Sequence, residues 1–255
     1  MILAPLARRR LASHLAGAVI VAGLALAFEF AARVGLTSTF LLPAPSAVLA
    51  SIPMLFMQEH LALRVGATLA EVLAGGALGS LAGVCIGWLL YRWHPLRQAF
   101  LSWAIGLGAA PLILLYPLFL IFFGRGLATI VVMSAISAVI PIILKTCEGL
   151  DGTRRVQIDV GRSFDLTPTQ LFWQIRLPAA YPAILSGIRL GLAYALVGVI
   201  SVEYLTNYGG LGELITDLAD RYEMAAMYGA ILFVMAVSAG LLALVEGIEK
   251  WLTRR

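Results

Sequence analysis

Six long apolar stretches separated by short polar segments dominate the pattern of hydrophobic and polar positions along the chain. They cover roughly residues 13–32, 67–91, 98–123, 127–147, 187–207 and 226–248. A helix needs about 20 residues to cross about 30 Å of hydrocarbon, and each stretch is long enough. A membrane barrel would show alternating segments of about 10 residues instead, and this sequence has none. Since lipid leaves no other way to satisfy the backbone, the pattern predicts an all-α polytopic membrane protein with six transmembrane helices.

Glycines recur every four residues in the second apolar stretch, at Gly75, Gly79, Gly83 and Gly87. Residues four apart lie on one face of a helix, and small residues there let a neighbouring membrane helix approach closely. Gly187 and Gly191 make a shorter ridge of the same kind in the fifth stretch. We expect both ridges to pack against other helices, with a hinge in the second stretch as the alternative.

Prolines interrupt the third apolar stretch. Pro111 and Pro117 remove hydrogen bonds from the third stretch and predict a kink or break. In membranes such a break often lines a cavity, and otherwise it is a packing kink.

Residues 34–66 are the predicted first outer connection. Within it, Ser46 is expected to N-cap a short helix that runs to about Met57 and lies on the membrane interface.

Composition and charge agree with a membrane protein and orient it. The chain is 61% hydrophobic and only 13% charged, whereas soluble domains carry about 25% charged residues. With a cytoplasmic N-terminus, 14 basic residues fall on the inner side, namely Arg8, Arg9, Arg10, Arg92, Arg97, Lys145, Arg154, Arg155, Arg162, Arg176, Arg189, Lys250, Arg254 and Arg255. Four fall outside, namely Arg33, Arg64, Arg125 and Arg221. The positive-inside rule therefore predicts that both termini are cytoplasmic. Because the charge is split among short loops, it does not indicate a nucleic-acid partner.

The longest inner segment, residues 148–186, has the pattern of two short helices around a turn. Val156, Val160 and Phe164 repeat at i+4 spacing in the first helix, and Asp165 breaks the pattern and tolerates turn conformations. Thr167 is a candidate N-cap of the second helix, with Pro168 at its first position.

The second helix has an apolar face made by Leu171, Phe172 and Ile175. Pro178 and Pro182 are expected to end it and to stiffen the start of the fifth span. A compact amphipathic helix pair of this kind either lies against its own bundle or seats in the groove of a partner.

Enzymatic chemistry has little support in the sequence. A phosphate-binding P-loop needs a lysine within a glycine-rich motif, and neither Lys145 nor Lys250 lies in one. The histidines are scattered at His14, His60 and His94, so we expect no catalytic cluster. Cys85 and Cys147 have no metal-ligand spacing, and we expect two buried thiols and no metal site.

Ionisable and polar-tipped residues inside predicted spans are candidates for a transport path. Glu203 lies deep in the fifth stretch near its outer end and borders such a path or, alternatively, makes a structural contact to a nearby Tyr or Thr. Tyr194, Pro111 and Pro117 are further candidates for the path. The arginines near the outer side are all predicted loop residues, so we see no anion site in the sequence.

Several short motifs stand in an order and spacing that resemble a known family. They are Leu42-Pro-Ala-Pro-Ser46, Phe123-Gly-Arg-Gly126, Val202-Glu203, Gly210-Leu-Gly212 and the Phe-x-x-Ile-x-Leu-Pro run that ends at Pro178. Over most of its length the chain resembles the permease subunits of ABC importers, in particular the sulfonate, taurine and nitrate-type permeases. Their cytoplasmic "EAA" loop has the pattern E-A-A, three residues, G, then F-x-x-I-x-L-P.

The chain departs from this family pattern in three places. The E-A-A triplet falls on Asp159-Val160-Gly161, so the middle alanine is missing. The loop glycine falls on Asp165, which can enter a left-handed turn at some cost. One of the paired prolines of the third span is Leu112.

The resemblance implies the type I ABC importer permease fold in a bacterial inner membrane. Residues 67–255 would form the permease core domain, after an N-terminal span and an outer amphipathic segment in residues 1–66. The implied partners are a second permease copy, two ATPase subunits that hold ATP and Mg, and an extracytoplasmic binding protein that delivers the solute. This chain itself would bind no cofactor. Sulfonates, taurine, nitrate, bicarbonate and a heterocyclic vitamin precursor all stay open as solutes, an anion being favoured.

Residues 156–176 would couple the ATPase subunits to alternating access of the path. The residues that the resemblance assigns to this coupling are Asp159, Gly161, Asp165, Leu166, Leu171, Phe172, Ile175, Leu177 and Pro178. Two rivals from other classes remain, a secondary transporter or channel that works without ATP and a membrane scaffold whose loop recruits a soluble protein. Transport by the purified chain without ATP would favour the first rival.

Overall fold

Every regular element in the described part of the chain is helical. The computed structural model describes residues 3–36, 38 and 40–253, and at residues 3–15, 18 and 109 only the backbone. The helices are α1 (Leu3–Arg33), α2 (Pro45–Met57), α3 (Leu61–Arg92), α4 (His94–Ala109), α5 (Tyr116–Phe123), α6 (Leu127–Asp151), α7 (Arg155–Ser163), α8 (Pro168–Leu171), α9 (Leu177–Thr206), α10 (Gly210–Asp220) and α11 (Met224–Thr253). A 3₁₀ turn (Leu112–Leu115) precedes α5, and a π turn (Phe172–Arg176) joins α8 to α9.

Four helical segments in the described residues are long and apolar enough to cross a membrane. They are α3, α6, the stretch Pro168–Asp220 that contains α9, and α11. The bent pair of α4 and α5 would make a fifth. The all-helical, multi-pass class is therefore confirmed, whereas the count of six spans stays a prediction. The side of both termini also stays a prediction, and the side chains of Arg8 to Arg10 and all of Arg254 and Arg255 lie outside the described residues.

The break predicted in the third apolar stretch is present. Segments His94–Gly108 and Leu112–Phe123 meet at an angle of 92°. Ala110, which precedes Pro111, is extended (φ −75°, ψ 142°) because a following proline disfavours helical backbone. Pro117 lies in the first turn of α5, where its missing N–H has no helical partner to lose. Pro111 thus marks the break, and Pro117 starts the next helix.

The contacts within the chain divide it into two units, which we describe separately. Unit 1 comprises Met1–Leu61 and Asp217–Leu232, and unit 2 comprises Ala62–Thr216 and Phe233–Arg255. The first division lies close to the predicted boundary after residue 66, and 217–232 joins unit 1 from far along the sequence.

In unit 1, the first outer connection forms the expected helix, but Ser46 does not cap it. Ala44 is the N-cap residue of α2, without a side-chain cap, and Pro45 begins the helix. The Ser46 hydroxyl instead donates to Glu29 Oε1 over 2.7 Å, and its backbone N–H donates to Glu29 Oε2 over 3.0 Å. The predicted capping role of Ser46 is therefore wrong, because a carboxylate from α1 satisfies the first free donor of α2 in its place.

Unit 1 is closed by an ion pair between distant parts of the sequence. Two nitrogens of Arg221 donate to the Glu59 carboxylate over 2.8 and 3.1 Å. The Glu59 carboxylate raises the pKa of Arg221 above its ordinary value. Nearby, the Ser51 hydroxyl donates to the carbonyl of Ala225 over 3.1 Å. These contacts tie residues 217–232 to α2 and the turn after it.

In unit 2, α6 packs against both α3 and α9, and glycines make both contacts close. A Cβ added to Gly79 would lie 2.7 Å from the carbonyl oxygen of Ala135, and one added to Gly83 would lie 2.7 Å from Ile142 Cβ. A Cβ added to Gly187 of α9 would lie 2.7 Å from Lys145 Cβ in α6. Such close approach of backbones is the usual basis of helix association in lipid, where hydrophobic burial supplies no drive. The helices leave no room for side chains along these ridges.

Candidate functional site

The first helix of the predicted inner hairpin exposes its apolar face. Val156, Val160 and Phe164 are 72%, 50% and 75% exposed, at i+4 spacing along α7 and its C-terminal end. Polar residues, Asp159 among them, occupy other faces of this helix. An exposed apolar stripe on a polar helix is typical of a surface that binds a partner.

Asp165 gives the turn of the hairpin its shape. It has φ 54°, the left-handed conformation that usually takes glycine. The Asp165 N–H donates to the carbonyl of Arg162 over 2.9 Å, and the Leu166 N–H donates to that of Gly161 over 3.2 Å. These two bonds make a Schellman motif that ends α7. The predicted left-handed turn at Asp165 is confirmed.

Thr167 starts the second helix as predicted. The Gln170 N–H donates to Thr167 Oγ1 over 3.3 Å, and the Thr167 N–H donates back to Gln170 Oε1 over 2.9 Å, with Pro168 in the first turn. This reciprocal pair is a capping box, which satisfies two free donors at the helix start.

The prolines that follow do not end this helix, and that prediction is wrong. The helical backbone continues from α8 through the π turn into α9, where Pro178 occupies the first turn and Pro182 lies inside the helix. In the π turn each N–H reaches back one residue further, as Leu177 does to the carbonyl of Phe172. A proline that lies just after this change of hydrogen-bond register therefore costs the helix little free energy. The hairpin and α9 form one continuous helical connection.

Most of the second-helix residues assigned to coupling face the hairpin or the bundle. Leu171 and Gly161 are buried, and a Cβ at Gly161 would lie 3.6 Å from Leu171 Cδ1. Phe172 is half-buried, with its ring centroid 6.4 Å from that of Tyr91 in α3. It packs with Leu177 against a small core made by Leu150, Ala180 and Ile184. Pro178 is exposed, and Leu166 and Ile175 are half-buried.

Reasoning from the sequence motif missed an exposed aromatic side chain, Trp173, and the exposure of the row on α7. Trp173 is 62% exposed and follows directly on Phe172, the residue that the motif singles out. The i+4 repeat of Val156, Val160 and Phe164 was visible in the sequence but was assigned only as the pattern of a helix. The spacing alone did not show its exposure, because Leu171 and Ile175 pack near Gly161 of α7 and leave the row on α7 uncovered.

A cavity of about 430 Å³ lies in unit 2 beside the break between α4 and α5. Pro111 and Tyr194 line it, whereas Pro117 and Glu203 are not among its lining residues. Other polar groups in its wall are Ser137, Lys145 and Ser201. The Lys145 ammonium also donates to Glu148 Oε2 over 2.7 Å. From the sequence, Lys145 was counted only among the inner basic residues, whereas in the structure it lines this cavity.

Glu203 lies away from this cavity, in a buried network at the start of α10. Its carboxylate accepts from Thr68 Oγ1 and from the Gly212 N–H, each over 2.7 Å. Thr68 Oγ1 in turn accepts from the Leu211 N–H over 2.9 Å. Glu203 is 0% exposed, and Glu71 of α3 is also buried, at 6%. The network satisfies N–H groups that begin α10, and a role of Glu203 in the transport path stays a prediction.

Comparison with known proteins gives consistent matches. The family described as "Binding-protein-dependent transport system inner membrane component" matches residues 75–255. The chain is similar to a probable ABC transporter permease protein of Haemophilus influenzae, with 29% identity over 237 residues that cover 93% of this chain and 94% of the relative. It is also similar to the putative aliphatic sulfonates transport permease protein of Bacillus subtilis, with 26% identity over 204 residues, 80% of this chain and 74% of the relative.

Among solved structures, the chain is similar to the inward facing MetNI methionine ABC transporter. The TM-score is 0.65 at 21% sequence identity, over 79% of this chain and 97% of that chain. At this identity the likeness supports the fold and says nothing of the solute.

Proposed function

Since the chain belongs to the binding-protein-dependent transport system inner membrane components, the permease subunits of ABC importers, we propose that its inner hairpin docks a separate ATPase subunit. The ATPase subunit, and not this chain, would bind ATP and Mg. A second permease copy, a second ATPase subunit and an external binding protein complete the assembly. In this orientation the hairpin and both termini face the cytoplasm.

The observation that carries this proposal is the exposed apolar stripe of Val156, Val160 and Phe164 on α7. A row of apolar side chains at i+4 spacing is the usual anchor of a helix that lies in a partner's groove. Phe172 and Leu171 have a different part in the proposal. Leu171 packs within the hairpin near Gly161 of α7. Phe172 packs on Tyr91 of α3 and on Ala180 and Ile184 of α9, so that movement of α7 reaches the spans.

The continuous helix from α8 to α9 supplies the mechanical link. When the ATPase subunits close on ATP, α7 moves with them, and the hairpin carries that movement into α9, which lines the cavity through Leu190, Tyr194 and Val197. The π turn at Phe172–Arg176 is the one irregular step in this connection, and such turns often lie at functional hinges. Alternating access then follows as a shift between two packed arrangements.

We propose further that the 430 Å³ cavity is this chain's part of the translocation path and that the solute is a small anion. Its volume is in the range of sites for small molecules, about 300–1,000 Å³. Lys145 places a cation in its wall, and the hydroxyls of Ser137, Ser201 and Tyr194 can donate hydrogen bonds to an oxyanion. A sulfonate, taurine or nitrate-like solute fits these groups.

The test of docking is the double variant Val156→Ser/Phe164→Ser. We expect it to insert normally and to retain the ATPase subunit at least about 10-fold less well, since apolar anchors carry most of the affinity of such interfaces. Transport-coupled ATP hydrolysis in proteoliposomes should fall with it. Gln157→Ser is the matched control, because Gln157 is also exposed on α7 but contributes no apolar side chain to the row. Normal ATPase retention and normal coupling in the double variant would exclude the stripe as the docking surface.

A further inference from the structure

A second cavity of about 650 Å³ lies at the predicted inner end of unit 2. Its walls come from the end of α3, the start of α4, the end of α6 and the hairpin from Arg162 to Arg176. It is distinct from the 430 Å³ cavity beside the break after α4, because the two cavities have no lining residue in common. We call it the basic pocket.

The charge of the basic pocket is strongly one-sided. Its wall contains four arginines and one carboxylate, listed as Arg92, Arg97, Arg162, Arg176 and Asp151. Asp151 forms a salt bridge with Arg97. Arg162 has only an exposed contact with Asp159, at 3.9 Å. In the described residues neither Arg92 nor Arg176 forms a salt bridge, so the pocket keeps uncompensated positive charge.

Arg176 is held in a position that suits an oxyanion. Its guanidinium carbon lies 5.6 Å from the centroid of the Tyr91 ring, a cation–π contact that fixes the side chain. Its Nε is buried and has no acceptor in the described residues. A buried donor on a charged group normally has a partner, and a planar guanidinium is the group best matched to phosphate oxygens.

Aromatic side chains form the other wall of the pocket. Trp88 and Tyr91 come from the last turns of α3, and Phe172 and Trp173 come from the π turn. Trp88 is 45% and Trp173 62% exposed. Tryptophan and tyrosine near the end of a span are typical of the level where lipid headgroups meet the acyl chains. The pocket thus combines cations with an apolar wall at that level.

We propose that the basic pocket binds the phosphate group of an anionic phospholipid from the adjacent bilayer leaflet. Basic pockets between membrane helices on the cytoplasmic side are known to bind such headgroups. The arginines contact the phosphate, and the aromatic wall covers the glycerol and the first acyl carbons. Because Arg92 belongs to α3 and Arg176 to the π turn, one bound phosphate joins the hairpin to the bundle. Anionic lipid therefore stabilises the packing of the hairpin against the helix bundle.

The experiment compares lipid binding to the purified full chain in nanodiscs of phosphatidylcholine with and without phosphatidylglycerol. Retained lipid is measured by native mass spectrometry, and thermal stability is measured in parallel. The test variant is Arg92→Gln/Arg176→Gln. The control is Arg154→Gln/Arg155→Gln, which removes the same charge from two exposed residues outside the pocket.

We expect the wild type and the control to retain phosphatidylglycerol and to be stabilised by it. The pocket variant should bind it at least about 10-fold more weakly, since each cation near the surface contributes to the attraction of anionic lipid. Stability in phosphatidylcholine alone shows whether the pocket variant is folded. If it is not, the single variant Arg92→Gln replaces it, because loss of one arginine in the pocket should still weaken retention several-fold.

Three outcomes would overturn the proposal. The first is equal retention of phosphatidylglycerol by the pocket variant and the control. In the second, inorganic phosphate gives the wild type the same stabilisation as the lipid and no lipid is retained, which assigns the site to a free anion. In the third, the lipid is lost when the ATPase subunits are added, which indicates an acidic surface of that partner. The first two outcomes are measured on this chain without the ATPase subunits, so they test the pocket independently of the docking proposal.

Discussion

Asp165 shows how a single backbone conformation can keep a family's loop while the expected residue is replaced. Its left-handed φ of 54° ends α7 in a Schellman motif that glycine would form without strain. Aspartate is one of the few side chains that visit this region, since its short polar group can bond locally. The sequence was enough to predict this turn, because its determinants all lie within a few residues.

Replacing Asp165 by glycine should therefore strengthen the hairpin. We expect Asp165→Gly to stabilise the turn by roughly 0.5–1 kcal/mol with coupling to ATP hydrolysis unchanged. Asp165→Val should destabilise it, because a β-branched residue is strained at positive φ. Hydrogen exchange of the amides of Phe164 to Leu166 reports the change directly. Faster exchange in the glycine variant would contradict this account.

Glu203 is the residue whose role the sequence left most open. In the structure it accepts hydrogen bonds from Thr68 and the Gly212 N–H, which is a structural contact of the kind weighed from the sequence. Glu203→Ala would leave both donors without that acceptor, at about 1–3 kcal/mol for each unsatisfied group. We expect Glu203→Ala to lower thermal stability and the yield of folded protein.

The conservative variant separates a structural role from a role in the path. Glu203→Gln keeps one carbonyl acceptor and should recover much of the stability lost in Glu203→Ala. If transport per folded molecule is then normal, Glu203 holds α10 in place and does not touch the solute. A raised KM for the solute at near-normal stability would instead assign it to the path.

At the scale of helices, what the sequence predicts well is what neighbouring residues decide. The capping box at Thr167, the break before Pro111 and the glycine ridge of α3 are all local patterns, and all have structural counterparts. The continuation through Pro178 was mispredicted because a π turn shifts the hydrogen-bond register, and no single residue signals that shift. Ser46 was mispredicted for a different reason, since its partner Glu29 lies on another helix.

The glycine ridge gives a prediction at this scale. Gly79→Ala should weaken the contact of α3 with α6, because the new Cβ would lie 2.7 Å from a backbone oxygen that cannot yield. We expect a loss of roughly 1–3 kcal/mol, as for other overpacked contacts. Gly66→Ala on the same helix is the control, since in the described part of the chain no atom lies within 4 Å of its added Cβ. Equal thermal stability of the two variants would contradict close packing at Gly79.

At the scale of the whole molecule, sequence patterns give the class and the family but not the cavities. Periodicity and charge indicate a multi-pass helical protein, because lipid imposes those patterns on every span. The 430 Å³ cavity brings together Pro111 from the break after α4, Ser137 and Lys145 from α6, and Tyr194 from α9. Their convergence depends on how those segments pack, and that information is spread over the glycine ridges and the buried core of α6.

Lys145 tests whether this convergence makes an anion path. The chain has two lysines, and the second, Lys250, pairs with Glu246 outside the cavity. Lys145→Gln should raise the KM for an anionic solute about 10-fold, which corresponds to about 1.4 kcal/mol of lost attraction. Lys250→Gln should leave KM unchanged, since it removes the same charge from a site that does not line the cavity.

The charge-conserving variant decides between two causes of the raised KM. One is the loss of attraction for the anionic solute, and the other is the loss of the partner of Glu148 in Lys145→Gln. Lys145→Arg keeps a cation in the cavity and should restore most of the affinity, whereas a purely structural defect would respond to shape as well as to charge. Uptake measured in proteoliposomes with the complete assembly, for an anionic solute and a neutral analogue, gives the comparison. If Lys145→Gln affects both solutes equally, Lys145 supports the helix and the anionic assignment fails, while the permease assignment is untouched.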